Sequence, residues 1–423
     1  MELWIFQTGE PIPSDDGNQR PMRAMNLARS ASERDWSTSI WSSRFFHQMS
    51  RQRRKTKSNN VESHTDIILI DSPGYRSNVG VGRLIDHIIL AWRLRSTLAK
   101  TVSRPDIAFI GFPPIEFAWV AVSWCQKRGI PCVLDVKDLW PTYFVEKLPP
   151  IFRGIGRIAF CLQYWLAKDA MRRADCVTGP SQSYLSWVRT FSGRLHSPYD
   201  FVFPLLSRFD ALNQDQEKVA DSFWVSKGVN SNEEKYACFV GNLSATYDFK
   251  MVSDAWALAS RDGYLSSCKF IICGTGTLDD EVTSLCIQQP SFLKIGWVDY
   301  PQAKRLYELS RFAIAPFQYL ENFELNIPNK IYDFLSHHLP VVTTLGGETE
   351  HLLTEAECGV GGVSTVQDWY EVLIEMFHDD SVFEQRKSNV EAFQSRHLDG
   401  QQNYERALDK ISTLMPGLRN KMS

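Results

Sequence analysis

Lys330 and Asp333, three residues apart in ENFELNIPNKIYDFLSHHLPVVTT (321–344), are the pair whose types and spacing best suit a phosphorylated ligand. A helix from about Pro328, after an acidic polar loop, would set both on one face, almost one turn apart. Pro328 suits a first helical turn because its missing N–H would have no intrahelical partner there. Ile331, Phe334 and Leu335 form the apolar face, and Val341–Val342 reads as a central strand of a parallel sheet. The loop-to-helix junction offers unpaired N–H groups and the positive end of a dipole, which suits a diphosphate. Lys330 adds a point charge, and Asp333 can accept hydrogen bonds from ribose hydroxyls. The same pattern also describes an ordinary surface loop with a packing helix. A second charged turn, Lys137-Asp138, follows the apolar run PCVLDV, and ligands sit at the carboxyl ends of parallel strands. Asp135 and Asp138 flank that lysine, so a structural ion pair competes there.

Positioning such groups takes strands alternating with helices. The first half reads as strands at 3–7, 36–41, within 64–75, and at 106–112, 131–136 and 174–181. Helices are expected from Arg20–Pro21 past Ala28, at 84–100 and 115–129, and as one long element at 152–173. Residues 205–233, rich in Asp, Asn, Ser and Lys, have a linker's composition. The rhythm restarts with strands at 236–241, 269–276, 292–298 and 312–317, and helices at 249–260, from 278, at 300–310, 366–378 and 401–414. Strand–helix alternation of this kind argues for doubly wound parallel sheets. The expected domains are 1–205, a linker at 206–233, 234–395, and a C-terminal helix in 396–423 that can cross back to the first domain.

Length and composition agree with two soluble domains. No apolar run reaches the ~18–20 residues of a bilayer span, and the opening MELWIFQTGE reads as a strand rather than a signal peptide. Nine cysteines without a C-x-x-C pair, with Cys132, Cys238 and Cys273 inside apolar runs, indicate reduced buried thiols and no zinc site. The net charge of −3 hides an asymmetry: residues 1–200 hold 27 Lys and Arg against 18 Asp and Glu, leaving 19 against 31 for the rest. The basic half suits an anionic lipid surface or a phosphorylated acceptor. Arg51, Arg53, Arg54, Lys55 and Lys57 form a basic run that is either solvated or a phosphate contact. Helix 84–100 reads as a packed surface helix first and an interfacial one second. Nucleic-acid binding is disfavoured by the acidic total and the lack of a recognition motif. GTGTLDD lacks the later acidic residue a dinucleotide ribose would need.

With these pieces in order, the chain resembles the retaining glycosyltransferases of GT-B fold that build bacterial polysaccharides, lipopolysaccharide and glycolipids. TGEPIP with the following R-x-x-R-x-x-x-LA resembles the family's first loop and helix, where the acceptor approaches. This implies acceptor-side roles for Gly9, Asp16, Asn18, Arg20 and Arg23. Tyr75 to Arg83, with Asn78 and Gly80, is similar to a feature of members that act on lipid-linked sugars. IPCVLDVKDLWP resembles the strand and H-D or R-D turn, implying catalytic positions at Lys137 and Asp138. FVGNLS, GTGTLDDEV and PNKIYDFLSHHLPVV resemble the three donor-binding segments. They imply nucleotide-sugar contacts from Gly241, Asn242, Gly274, Gly276, Trp297, Val298, Asn326, Ile327, Pro328, Asn329, Lys330 and Asp333. The sequence departs from the family in several places. Asp333 stands for the second of two spaced glutamates, and Leu325 for the first, with Glu324 (or Glu321) as its substitute. Asn242 replaces an arginine, Lys250 is the nearest match to its lysine partner, and His338 replaces a helix-end glycine.

The resemblance implies an α/β protein of GT-B fold, with two Rossmann-like doubly wound parallel-sheet domains facing across a cleft. The implied activity is a metal-independent, hexosyltransferase-type transfer from a UDP- or GDP-sugar to a lipid-linked or saccharide acceptor in surface polysaccharide biosynthesis, with retention. No covalent cofactor and no metal are expected, there being no D-x-D motif. The implied location is cytoplasmic, peripheral at the inner face of the plasma membrane. The alternative is a catalytically weak or inactive GT-B pseudoenzyme acting as a nucleotide-binding partner subunit.

Overall fold

Apolar runs such as LWIF, IILI and AFIGF are too short to cover themselves, and they pair side by side into a sheet. The computed structural model describes residues 1–15, 20–54, 65–76, 80–230, 234–319 and 321–415. It divides into one unit of Met1–Ser207 with Gln401–Ser423, and a second of Arg208–Gly400. In the first, β1 (Glu2–Phe6), β2 (Ser37–Ser43), β3 (Thr65–Ile70), β4 (Ile107–Phe112), β5 (Cys132–Val136), β6 (Cys176–Gly179) and β7 (Phe201–Val202) lie in the order 3-2-1-4-5-6-7. All neighbours are parallel, so every carboxyl end falls on one edge.

Alternation along β1 sorts the two faces of that sheet. Trp4 and Phe6 pack with α2 (Val81–Lys100), α3 (Ile115–Arg128), α6 (Cys161–Arg173) and α7 (Gln182–Ser192). Trp4 stacks on Trp124 of α3 with centroids 5.4 Å apart. Leu3 and Ile5 pack instead with α1 (Arg23–Ser32) and with α17 (Gly400–Ser412), which supplies Tyr404, Ala407, Leu408 and Ile411. The run at 152–173, expected as one helix, is two: α5 (Arg153–Ala159) and α6 meet at Phe160, whose ring is held by Phe144 of the short α4 (Thr142–Glu146). Helix α7 was hidden by its small-residue start, where the Ser181 hydroxyl accepts the Tyr184 N–H.

In the second unit the segment of linker composition carries α8 (Gln214–Ser226), opened by an Asn213/Gln216 capping box. Trp224 fixes this helix: its ring is buried and its indole N–H donates to the Gln302 carbonyl at 2.8 Å. The sheet comprises β8 (Lys235–Val240), β9 (Cys268–Cys273), β10 (Phe292–Ile295), β11 (Ser310–Ala315), β12 (Val341–Thr343) and β13 (Gly359–Val360). It is again wholly parallel, in the order 10-9-8-11-12-13. Its connections are α9 (Phe249–Arg261), α10 (Asp279–Gln288), α11 (Tyr300–Leu309), α12 (Glu321–Glu324), α13 (Asn329–Ser336) and α14 (Gly347–Glu355), followed by α15 (Val366–His378) and α16 (Asp380–His397). Helices α14 and α16 went unread in the sequence. Strands β9 and β10 end three residues earlier than their apolar runs suggest, which frees Gly274–Gly276 and Gly296–Val298 as loops.

Tyr404 ties the returning helix to the first sheet: its hydroxyl donates to the Leu206 carbonyl at 3.0 Å and its ring meets Phe203 edge-on. Tyr404→Ala should therefore cost about 3–5 kcal/mol, read as a lower denaturation midpoint for the first domain while the second domain's transition stays in place.

Candidate functional site

The carboxyl edge of the second sheet is shaped by glycine. A Cβ on Gly274 (φ +137°) would collide with the Gly241 carbonyl, and one on Gly276 with the Leu243 carbonyl. The loops after β8 and β9 thus lie backbone against backbone. They are laced by Leu243 N–H to Thr275 O at 3.0 Å and Leu278 N–H to Leu243 O at 2.9 Å. Into this edge α13 delivers Lys330, whose ammonium donates to the Val240 carbonyl and sits 4.3 Å above the Phe239 ring. A side chain on Gly241 would occupy the position of that ammonium.

Pro328 caps α13 rather than opening its first turn, so the helix starts one residue later than expected, at Asn329. No side chain among the described residues caps the helix, and its amino end carries the positive pole of the helix dipole. Asp333 follows on the same helix. Ile327 is buried, as is Asn326, whose Oδ1 has no hydrogen-bond partner among the described residues. The Asn326 carbonyl accepts from Thr349 Oγ1 at 3.2 Å. Glu324 lies against the turn that opens α14: a Cβ on Gly346 would stand 3.0 Å from its carboxylate. The sequence reading missed Gly346 and Gly347; a Gly-Gly pair just after a buried strand was the available signal. Trp297 is 71% exposed beyond β10, while Val298 beside it is buried. Asn242 is exposed, as is Lys250, which pairs with Asp254. Cys238 and Cys273 lie beneath this edge as free buried thiols, with Cys238 pushed up to about 12 by burial, against the nearby Lys330.

In the first domain the named cations are largely committed. Lys137 Nζ donates to Glu10 at 2.8 Å and to Gln7 at 3.0 Å, and Glu10 also accepts the Ala24 N–H at the start of α1. Arg23, expected on the acceptor side, is buried: it pairs with Asp135 at 2.6 Å and donates to the Phe203 and Pro204 carbonyls. Arg20 donates to Ser207 Oγ, and Gly9 (φ +77°) faces open space. Asp16 and Asn18, like Asn78, lie outside the described residues. Within the basic run Arg53 is an internal brace, bidentate to Asp15 at 2.8 Å. Tyr75 and Arg83 do come together, with the guanidinium 5.6 Å from the Tyr75 ring and 4.5 Å from Trp140. The Tyr75 hydroxyl is 2.8 Å from His47 Nδ1. Two histidines absent from the sequence reading join this group. Burial, with Arg83 adding, lowers His47 and takes His87 down to about 3. Burial raises Glu116, whose carboxylate oxygen lies 3.9 Å from His87 Nδ1. Burial also pushes Asp138 up to about 6, opposed by Lys137 and Arg83.

Two parallel-sheet α/β domains of this kind match GT-B glycosyltransferase structures. Residues 234–379, which hold the whole glycine-lined edge, match the family model described as Glycosyl transferases group 1. In structure the chain is similar to HepE of Anabaena in complex with UDP-glucose, at 16% identity and TM-score 0.65, over 98% of this chain and 100% of that one. It is similar to WaaG, a glycosyltransferase involved in lipopolysaccharide biosynthesis, at 12% identity and TM-score 0.66, over 97% and 100%. The catalytic domain of starch synthase IV from Arabidopsis thaliana, bound to ADP and acarbose, is likewise similar, at 10% identity and TM-score 0.65, over 98% and 99%. At such identities the likeness is one of fold. By sequence, no curated protein matches. The family match and the fold together support a GT-B glycosyltransferase.

Two substitutions test this geometry through stability. His338 is exposed at φ +58°, a left-handed conformation that suits glycine. His338→Gly should stabilise the second domain by about 0.5–1 kcal/mol, the strain relieved less the entropy of glycine, seen as a raised urea midpoint. For Asp138 the folded carboxyl holds its proton to higher pH than the unfolded one, so the charged form opposes folding above about pH 6. Asp138→Asn should be more stable than the wild type at alkaline pH, with the difference gone below about pH 4, as chemical denaturation across pH would show.

Proposed function

We propose that the protein transfers a sugar from a nucleoside diphosphate sugar, with UDP as the nucleotide, to a lipid-linked or saccharide acceptor in surface polysaccharide assembly, with retention and without a metal. The observation that carries this reading is Lys330 beside the uncapped start of α13, at a strand edge where glycines bring two loops into backbone contact. A departing diphosphate gathers negative charge as the bond from the anomeric carbon to its phosphate oxygen breaks. Fixed N–H groups and a cation aimed at that charge stabilise the transition state more than the ground state. The acceptor oxygen forms the new glycosidic bond, and its proton passes to the leaving phosphate, so the step is balanced without a side-chain base. Asp333, one turn along α13, takes the ribose hydroxyls. The exposed Trp297 offers a face for the base, and Asn326 and Glu324 offer acceptors for sugar hydroxyls. The UDP-glucose complex of HepE and the lipopolysaccharide role of WaaG support this choice of donor and pathway.

Incubation of the full chain with UDP- and GDP-sugars and a polyprenyl-diphosphate sugar should release nucleotide and yield an extended glycolipid; no product across the panel would overturn the reading. Lys330→Ala should lower turnover about 10²–10³-fold, with the fold checked by circular dichroism.

A further inference from the structure

The winding of the first sheet reverses between β1 and β4: the chain fills one side through β2 and β3, then returns to β4 and fills the other. In doubly wound sheets ligands bind outside the carboxyl ends of the strands at that reversal. Phe6 pairs with Ile110 there, and the residues just beyond bring three polar side chains together. A Cβ on Gly111 would collide with the Gln7 amide, so glycine makes room for it. Gln7 Nε2 donates to the Thr8 carbonyl at 2.8 Å, which turns Oε1 toward Lys137. The Lys137 backbone is fixed as well, its N–H donating to the Phe112 carbonyl at 3.0 Å. Glu10 holds the start of α1 with one carboxylate oxygen and Lys137 with the other. The ends of three strands and the start of a helix thus converge on one ammonium.

That ammonium differs from the paired guanidinium groups of the same domain. Arg23 and Arg53 keep 5% and 2% of their side-chain surface, whereas Lys137 keeps 16%. An ammonium has three N–H donors. Among the described residues Lys137 spends two of them, on Gln7 and Glu10, and the third can meet a ligand oxygen. The charges about it balance: Lys137 and Arg83 are the cations that act on Asp138, Glu10 pairs with Lys137, and Arg23 pairs with Asp135. A ligand carboxylate or phosphate arriving here is drawn by the lysine and repelled by the glutamate, so the loss of its hydration goes uncompensated. A hydroxyl accepts the third N–H and has no charge to strip of water. We propose that Gln7, Glu10 and Lys137 select an uncharged saccharide at this edge and reject a uronate or a sugar phosphate. Glu10 acts through Lys137, as a specificity-determining residue. The proposal rests on the sugar-transfer reading and deepens it by naming the class of sugar, a neutral hexosyl group of either the donor or the acceptor.

The test compares neutral and charged sugars on the full chain in two arms. Titration calorimetry with UDP-glucose and UDP-glucuronate is the donor arm, and saturation-transfer NMR with methyl glucoside and methyl glucuronide is the acceptor arm. In the arm whose sugar reaches this edge, the wild type should bind the neutral member about tenfold or more tightly than the charged one. Glu10→Gln keeps an acceptor for the Ala24 N–H and leaves the lysine uncompensated, so it should narrow that ratio about tenfold. Lys137→Gln removes the cation and should widen the ratio. A merely structural pair would weaken both sugars together and leave the ratio unmoved. Circular dichroism checks each fold, and either variant alone gives the sign if the other fails to fold. Equal binding of neutral and charged sugars in both arms, a ratio that neither variant moves, or no saccharide binding in either arm overturns the proposal. UDP alone separates it from the transfer reading. Methyl glucoside bound in preference to the glucuronide, without UDP binding, would count against that reading and leave the selection standing. Sugar transfer indifferent to the charge of both substrates would count against the selection alone.

Discussion

Peptide lying against peptide is the constraint on which the second domain's site depends. The loops leaving β8 and β9 approach so closely that Gly274 and Gly276 have no room for a Cβ against the carbonyls of Gly241 and Leu243. Convergence of the loops leaves the strand edge bare of side chains at the point where Lys330 arrives. The lysine's ammonium lies over the Phe239 ring and donates to a strand-end carbonyl, so an aromatic face and a backbone dipole both meet the charge.

The first domain handles charge in the opposite manner. Arg23 with Asp135, Arg53 with Asp15, and Lys137 with Glu10 are internal pairs, each with further hydrogen bonds. Removing one partner of such a pair strands a buried charge, and this is what makes them structural. Its excess of basic residues is therefore not spread evenly. The inner cations are neutralised, whereas others such as Arg54 and Arg104 are exposed.

Much of this architecture was legible in the sequence because short apolar runs alternating with amphipathic segments admit few arrangements. Apart from the two-residue strands β7 and β13, which went unread, the strands of both sheets fell close to their expected places, and the PNKIYDFL segment yielded its helix and the positions of Lys330 and Asp333. What was lost was lost either to polar composition or to partners far along the chain. Helix α8 was masked by polar composition, since only Ala220 and Trp224 are fully buried. Helix α16 buries Val390 alone and so lacks an apolar period. The break at Phe160 depends on a ring from a distant turn. The fates of Arg23 and Lys137 turned on partners 112 and 127 residues away, a kind of pairing that a single sequence does not disclose. His47 and His87 joined Arg83 for the same reason.

Helix α17 has a consequence for biosynthesis. One face of the first sheet, with Leu3, Ile5, Ile107 and Phe109, is closed partly by residues that follow the entire second domain in the chain. Synthesis from the amino terminus delivers those strands hundreds of residues before their lid. Part of an apolar face therefore waits on the ribosome, uncovered, while the second domain is still being made. Domains that mature as they emerge avoid that interval; this one cannot close that face until α17 has been made.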